Sequence, residues 1–166
     1  MDKVDIWFQD ETRIGQQGTT SRMWAKKGTG HVLKQQQFTY SYIYSALFPS
    51  TGQAVGLILP YANAVCMSLH IDEIARSIPK ERHALIIMDG AGWHQESHAR
   101  ENVSILKTPS YSPELNPCEQ VWQSLKDRWL KYRCYKDYED ILNVACEVWQ
   151  DFAPEKGRVQ SLCYRS

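Results

Sequence analysis

Three acidic residues, Asp10, Asp89 and Glu119, have the type and the setting to hold metal ions. Asp10 follows the apolar-rich, partly alternating run Val4-Asp5-Ile6-Trp7-Phe8-Gln9, which reads as a strand ending at the acidic pair Asp10-Glu11. Asp89 follows Ala84-Leu85-Ile86-Ile87-Met88, a short, wholly apolar strand of the kind buried between covering layers. Glu119 falls in the first turn of a predicted helix. Strand ends in an open α/β sheet form a crevice where ligands gather. Hard divalent cations need oxygen ligands, and Mg²⁺ is usually held by one or two carboxylates with phosphates and water. Two such ions, roughly 3.5–4 Å apart, activate an attacking oxygen and stabilise a leaving one in phosphoryl transfer.

Each residue also has a plainer reading. Asp10-Glu11 alone is a solvated strand end, and Asp89-Gly90 is a common turn dipeptide. Asn116 suits an N-cap and Pro117 the first helical position, which puts Glu119 at the reciprocal position of a capping box. On local grounds the cap is the better reading of Glu119.

The elements that must position the trio follow from periodicity and turn residues. Phe38 to Leu47, rich in aromatic and β-branched residues, is a strand. Pro49-Ser50-Thr51-Gly52 turns it into another, Ala54 to Leu59. Gly15 to Thr20 is a turn, and Arg22 to Lys26 a short strand closed by Gly28 and Gly30. Together these make an antiparallel meander. From Asn63 the spacing changes: Met67, Ile71, Ile74 and Ile78 recur at helical intervals until Pro79. Val103 to Leu106 is a further short strand, followed by a proline-rich loop, Pro109 to Pro113. Two helices follow. The first runs from about Pro117 to Tyr132 with Val121, Trp122, Leu125 and Trp129 as core. The second runs from about Tyr138 to Phe152 with Ile141, Leu142, Ala145, Val148 and Trp149 inward. The order predicts a mixed α/β domain with an antiparallel portion and a later parallel addition. Residues 154–166 carry no reading beyond a tail or a partner-contacting segment.

Three segments resemble the signature blocks of the mariner-type superfamily of transposases, and more narrowly its bacterial insertion-sequence branch. They are Phe8-Gln9-Asp10-Glu11-Thr12, Met88-Asp89-Gly90-Ala91-Gly92-Trp93-His94, and Tyr111-Ser112-Pro113-Glu114-Leu115-Asn116-Pro117-Cys118-Glu119-Gln120-Val121-Trp122. Arg22-Met23-Trp24-Ala25-Lys26-Lys27-Gly28 resembles the R-x-W-x-x-x-G stretch that often follows the first block. The blocks occur in the expected order over roughly residues 4–130, and the third is the most specific. The 29 residues between Asp89 and Glu119 make a shorter interval than the resemblance implies.

The resemblance implies an α/β, ribonuclease-H-like domain over residues 1–166, with a mixed sheet, an antiparallel meander and flanking helices. It carries a catalytic, metal-binding triad over to Asp10, Asp89 and Glu119, with two Mg²⁺ or Mn²⁺ ions as cofactor. It implies transposon-end and target DNA as substrates: a phosphodiester is hydrolysed to free a 3′-hydroxyl, which attacks the target, typically at a TA dinucleotide. A homodimer is implied, since two DNA ends are joined. Two other readings keep the fold and change the role: an inactive remnant serving in binding or assembly, and a metal-dependent nuclease without strand transfer.

Composition sets the bounds. The chain has 166 residues, 43% apolar and 23% charged, as in a one-domain globular protein. No apolar run approaches the roughly 20 residues that span a bilayer, and Met1 to Asp5 has no signal-peptide core. A bacterial cytoplasmic protein, at the nucleoid when acting, is expected, with no membrane partner. The five cysteines are odd in number and widely spaced, which disfavours zinc or a disulfide framework and favours buried thiols. Nineteen basic residues balance nineteen acidic ones, so no global positive field attracts nucleic acid. DNA binding then needs local patches or a helix-turn-helix module supplied elsewhere, for which the chain leaves no room before its first strand. Arg13, Arg22, Lys26, Lys27 and Lys34 are the most basic stretch, suited to phosphates or to a solvated hairpin face. His94 suits a DNA contact or a place assisting near the metals, and a structural place at a helix start equally well.

Overall fold

Alternation along one long strand sets the plan of the molecule. In a computed structural model that describes residues 3–15, 39–90, 98–109, 112–130 and 133–164, β1 runs Val4–Gly15. Its odd residues Trp7 and Gln9 are buried against one layer, and its even residues Phe8 and Ile14 pack into another. The strand does not end at Asp10 as the sequence suggested. Antiparallel pairing with β2 (Tyr40–Phe48) continues from Phe8 to Gly15, and the interior takes up Thr12 and Ile14. Asp10 therefore lies mid-strand, paired with Ser45 of β2 and just past the end of the pairing with β4.

The sheet has five strands in the order β3-β2-β1-β4-β5. β3 (Gln53–Leu59) returns antiparallel along β2, which completes the expected meander. β4 (His83–Met88) and β5 (Val103–Lys107) add on in parallel. The buried Asp5 carboxylate accepts from the Arg82 guanidinium, with Nε 2.8 Å from Oδ2, and so ties the start of β1 to the approach to β4. The Gly15–Thr20 turn after its first residue, the Arg22–Lys26 strand, and Gly28 and Gly30 lie outside the described residues.

Helix α1 (Ala64–Ser77) begins where Asn63 accepts from the Cys66 amide at 2.9 Å, and it ends before Pro79. Its Met67, Ile71 and Ile74 cover one sheet face, against Trp7, Tyr44, Ile86 and Met88. The other face is covered by α2 (Cys118–Leu125), α3 (Tyr138–Phe152) and α4 (Lys156–Cys163), whose Val121, Leu125, Val148, Phe152 and Val159 meet Ile43 and Leu47. β4 is consequently buried on the α1 face only: Ala84, Ile86 and Met88 are covered, while Leu85 and Ile87 are half-buried. The expected double burial of β4 fails because α2–α4 pack over the meander.

Helix α2 is also shorter than its periodicity suggests. After Leu125 a π-helical turn, Lys126–Leu130, leaves Trp129 half-buried. Its ring carries the guanidinium groups of Arg128 and Arg158, 4.4 and 5.0 Å from the centroid. Helix α4 falls within the stretch that had no reading. Its N-terminus is fixed against the β2–β3 turn, where Gly52 (φ +70°) passes so close to Lys156 that a Cβ would lie 2.1 Å from the Lys156 carbonyl oxygen. All five cysteines are free, but Cys134 and Cys146 are exposed, so only Cys66, Cys118 and Cys163 fit the expectation of buried thiols. No helix among the described residues is long and apolar enough to cross a membrane.

One core residue is out of keeping with its surroundings. His70 of α1 is fully buried beside the Tyr44 ring, and neither ring nitrogen has a hydrogen-bond partner among the described residues. Burial pushes its pKa down to about 4, against the pull of the nearby Ser45 backbone and, less, of the Glu11 carboxylate. A base with a depressed folded-state pKa gives stability that is complete above its ordinary value near 6.5 and is lost as pH falls through about 4. The protein should thus lose up to about 3 kcal/mol from this group between pH 6.5 and 4. In His70→Phe that acid limb of a urea-melt series should flatten; an unchanged limb would place the acid sensitivity elsewhere.

Candidate active site

The site is built from β1 outward. Asp10 shares the face of β1 that carries Phe8, Thr12 and Ile14, the face on which α2 lies. Three side chains of the third sequence block fasten α2 to three successive residues of β1. Cys118 Sγ donates to the Phe8 carbonyl at 3.3 Å, and Asn116 Nδ2 to the Gln9 carbonyl at 2.9 Å. Trp122 Nε1 donates to Asp10 Oδ2 at 2.8 Å. Asn116 Oδ1 also accepts from the Cys118 amide at 3.1 Å, an Asx turn just ahead of the helix and not the N-cap its type suggested. The helix begins one residue later than expected, with Pro117 in the cap position.

Glu119 is exposed in the first turn of α2 and close enough to raise the proton affinity of Asp10. Burial raises it most, the Glu11 carboxylate next, and Glu119 less, while the Trp122 hydrogen bond pulls it down; the net result is a carboxyl pushed up to about 7. At neutral pH this carboxyl is poised between its charged and neutral forms.

Asp89 reaches the same region by strand register. β4 pairs parallel with β1 up to Phe8↔Ile87. Asp10 lies two residues beyond that pair on β1, and Asp89 two residues beyond it on the chain leaving β4. Asp89 is exposed just past the end of β4. Glu119 also lies on the wall of a groove of about 1010 Å³, lined by Ile6, Phe8, Leu115, Asn116 and Tyr164 among others.

The remaining candidates are not gathered there. Arg13 is exposed on the opposite face of β1, its guanidinium over the Tyr40 ring 5.1 Å from the centroid. Arg22, Lys26, Lys27, Lys34 and His94 lie outside the described residues. Trp122, expected as core alone, is buried but also gives its N–H to the candidate site. Its inward place was readable from helical spacing; its acceptor, 112 residues away in sequence, was not.

Among the described residues no three His, Cys, Asp or Glu side chains converge closely enough to hold a metal ion by themselves. The donor set still fits a hard divalent cation. It offers only carboxylate oxygens, one is half-buried and raised in proton affinity by burial and neighbouring carboxylates, and Mg²⁺ needs just one or two of them beside phosphate and water.

A profile of the DDE superfamily endonucleases matches residues 5–142. The chain belongs to this family. An uncharacterized protein of Sinorhizobium fredii, y4pE/y4sA, is 38% identical over 128 residues, covering 76% of this DDE chain and 95% of the relative. In three dimensions the chain is similar to the Mos1 strand transfer complex, with a TM-score of 0.62 at 14% identity over 98% of this chain and 55% of that one. The Mos1 mariner paired-end complex with Mn gives 0.62 at 14% identity over 97% and 56%. The catalytic core domain of BIV integrase gives 0.52 at 15% identity over 88% and 82%. The fold is ribonuclease-H-like, as expected from the sequence blocks, and this DDE chain spans about half the length of the Mos1 chains.

Proposed function

We propose that this DDE domain catalyses metal-dependent cleavage of DNA at transposon ends and transfer of the freed strand into target DNA. The observation that carries the reading is the fastening of α2 onto Phe8, Gln9 and Asp10, which holds Glu119 to the strand that bears Asp10. In this reading Asp10 and Asp89 bind the cations most directly and Glu119 completes the second ion's shell. Two bound Mg²⁺ or Mn²⁺ ions would activate the attacking oxygen and stabilise the leaving one. Asp10 would hold the cation as a carboxylate, with Trp122 keeping one of its oxygens engaged. The Mn- and Mg-containing Mos1 complexes agree with such a cofactor. The partners in this reading are the element's ends, target DNA, a second copy of the chain and a separate helix-turn-helix module. The site of action is the bacterial nucleoid, and residues 1–166 are one catalytic domain.

The test is a joining assay on the purified chain with precut, 3′-hydroxyl-ended duplexes and supercoiled plasmid in Mg²⁺ and Mn²⁺. Joined products are expected. Nicking without joining would make the domain a nuclease, and neither product in either metal would leave a binding or assembly role.

A further inference from the structure

We propose that Trp122 is a positioning residue of the metal site, its indole N–H fixing the Asp10 carboxylate from the same helix that presents Glu119. The inference rests on the reading of Asp10 and Glu119 as metal ligands and adds a residue that touches no ion.

Four observations carry it. Trp122 is only 2% exposed, so its donor has little access to water. It is 2.8 Å from Asp10 Oδ2, well within N–H···O hydrogen-bond length. A packing role does not in itself supply such a partner: Trp7, equally buried on the opposite sheet face, has an indole nitrogen with no partner among the described residues. Finally, Trp122 stands three residues after Glu119, so the two are neighbours across one turn of α2. One rigid turn thus sends a carboxylate outward and an N–H onto the other carboxylate.

The consequence concerns orientation. Asn116 and Cys118 bond to backbone carbonyls and fix where the helix sits. Trp122 alone of the three holds the Asp10 side chain. With Oδ2 engaged, the carboxylate cannot rotate freely, so its orientation toward a cation is set by the indole. Groups that orient metal ligands in this way typically change affinity 10–100-fold when removed. A tryptophan that only fills space makes a different forecast, since phenylalanine would fill most of the same volume and cost the site nothing.

The experiment compares wild type with Trp122→Phe, Asp10→Asn and Asp89→Asn. Mn²⁺ affinity is read from the electron paramagnetic resonance of the free ion, and the six indole N–H signals are followed by ¹H–¹⁵N correlation spectra. We expect Trp122→Phe to bind Mn²⁺ about ten-fold more weakly. The Trp122 indole signal, identified by sequential assignment in the wild type, should move in Asp10→Asn and on adding Mg²⁺. Wild-type affinity in Trp122→Phe, with affinity lost in Asp10→Asn and Asp89→Asn, would overturn the positioning role and leave the metal reading standing. Wild-type affinity in all three variants would remove both. Should Trp122→Phe not fold, the indole signal of the wild-type protein decides: a resonance indifferent to Asp10→Asn and to Mg²⁺ refutes the proposal.

Discussion

Asp89→Asn should reduce plasmid nicking in Mg²⁺ by about 10³-fold or more while leaving the melting temperature within about 2 °C of wild type. The size follows from what the residue would do. In the proposed site Asp89 and Asp10 are the most direct ligands, and a neutral amide neither neutralises the cation nor holds it as firmly. Losing several kcal/mol of charge stabilisation at the attacking and leaving oxygens translates into three or more decades of rate. The small stability effect follows from position: Asp89 is exposed, past the end of β4, and the amide is isosteric. Rate and melting temperature must be measured on one preparation, since their separation carries the argument. An Asp89→Asn protein that nicks at the wild-type rate would exclude Asp89 from the site.

How far such a site can be read from sequence depends on which physical signal each part leaves. The β2–β3 hairpin was legible because Pro49 to Gly52 is turn chemistry between two β-rich runs, and the strands lie within one or two residues of expectation. Helices α1 and α3 were legible because their apolar residues recur at helical spacing; the caps at Asn63 and Asp137 are seen in the structure. Beyond Asp10 the same reasoning failed. Glu11-Thr12-Arg13-Ile14-Gly15 looks polar, and only the ladder to β2 makes it a strand with Thr12 and Ile14 inward. Helix α4 has just Val159, Leu162 and Cys163 buried and no side-chain cap, too little periodicity to stand out; its place depends on α2 and the sheet. The trio of carboxylates had only a weak local signal, two predicted strand ends and a helix start. Each was better explained alone as a strand end, a turn or a cap, and only the ordered sequence blocks joined them. The structure supplies a physical reason for part of that pattern: the asparagine, cysteine and tryptophan around Glu119 are the groups that fasten its helix to β1.

That fastening has a thermodynamic cost, which the second large prediction measures. Asp10 is forced into a half-buried place beside Glu11 and Glu119, and its pKa rises from 3.8 to about 7. A carboxyl raised on folding contributes stability that is complete below its unfolded value and is lost as pH climbs through the folded one. The metal-free protein should therefore weaken between about pH 4 and pH 7, by up to about 4 kcal/mol. Asp10→Asn removes the titration while keeping an oxygen for the Trp122 N–H to reach. The variant should match wild type near pH 4 and exceed it at pH 8, where the difference is largest, in denaturant melts run in chelator. Mg²⁺ should then stabilise the wild type at pH 8 and leave Asp10→Asn unmoved, because a ligand stabilises only the state that binds it. If Asp10→Asn is no more stable than wild type at pH 8, the carboxylate is not under the repulsion inferred here. If it is more stable but Mg²⁺ raises both proteins equally, the strain is real and the cation binds elsewhere. A site whose ligand destabilises the empty protein and is relieved by its cation is the arrangement expected where stability has been exchanged for function.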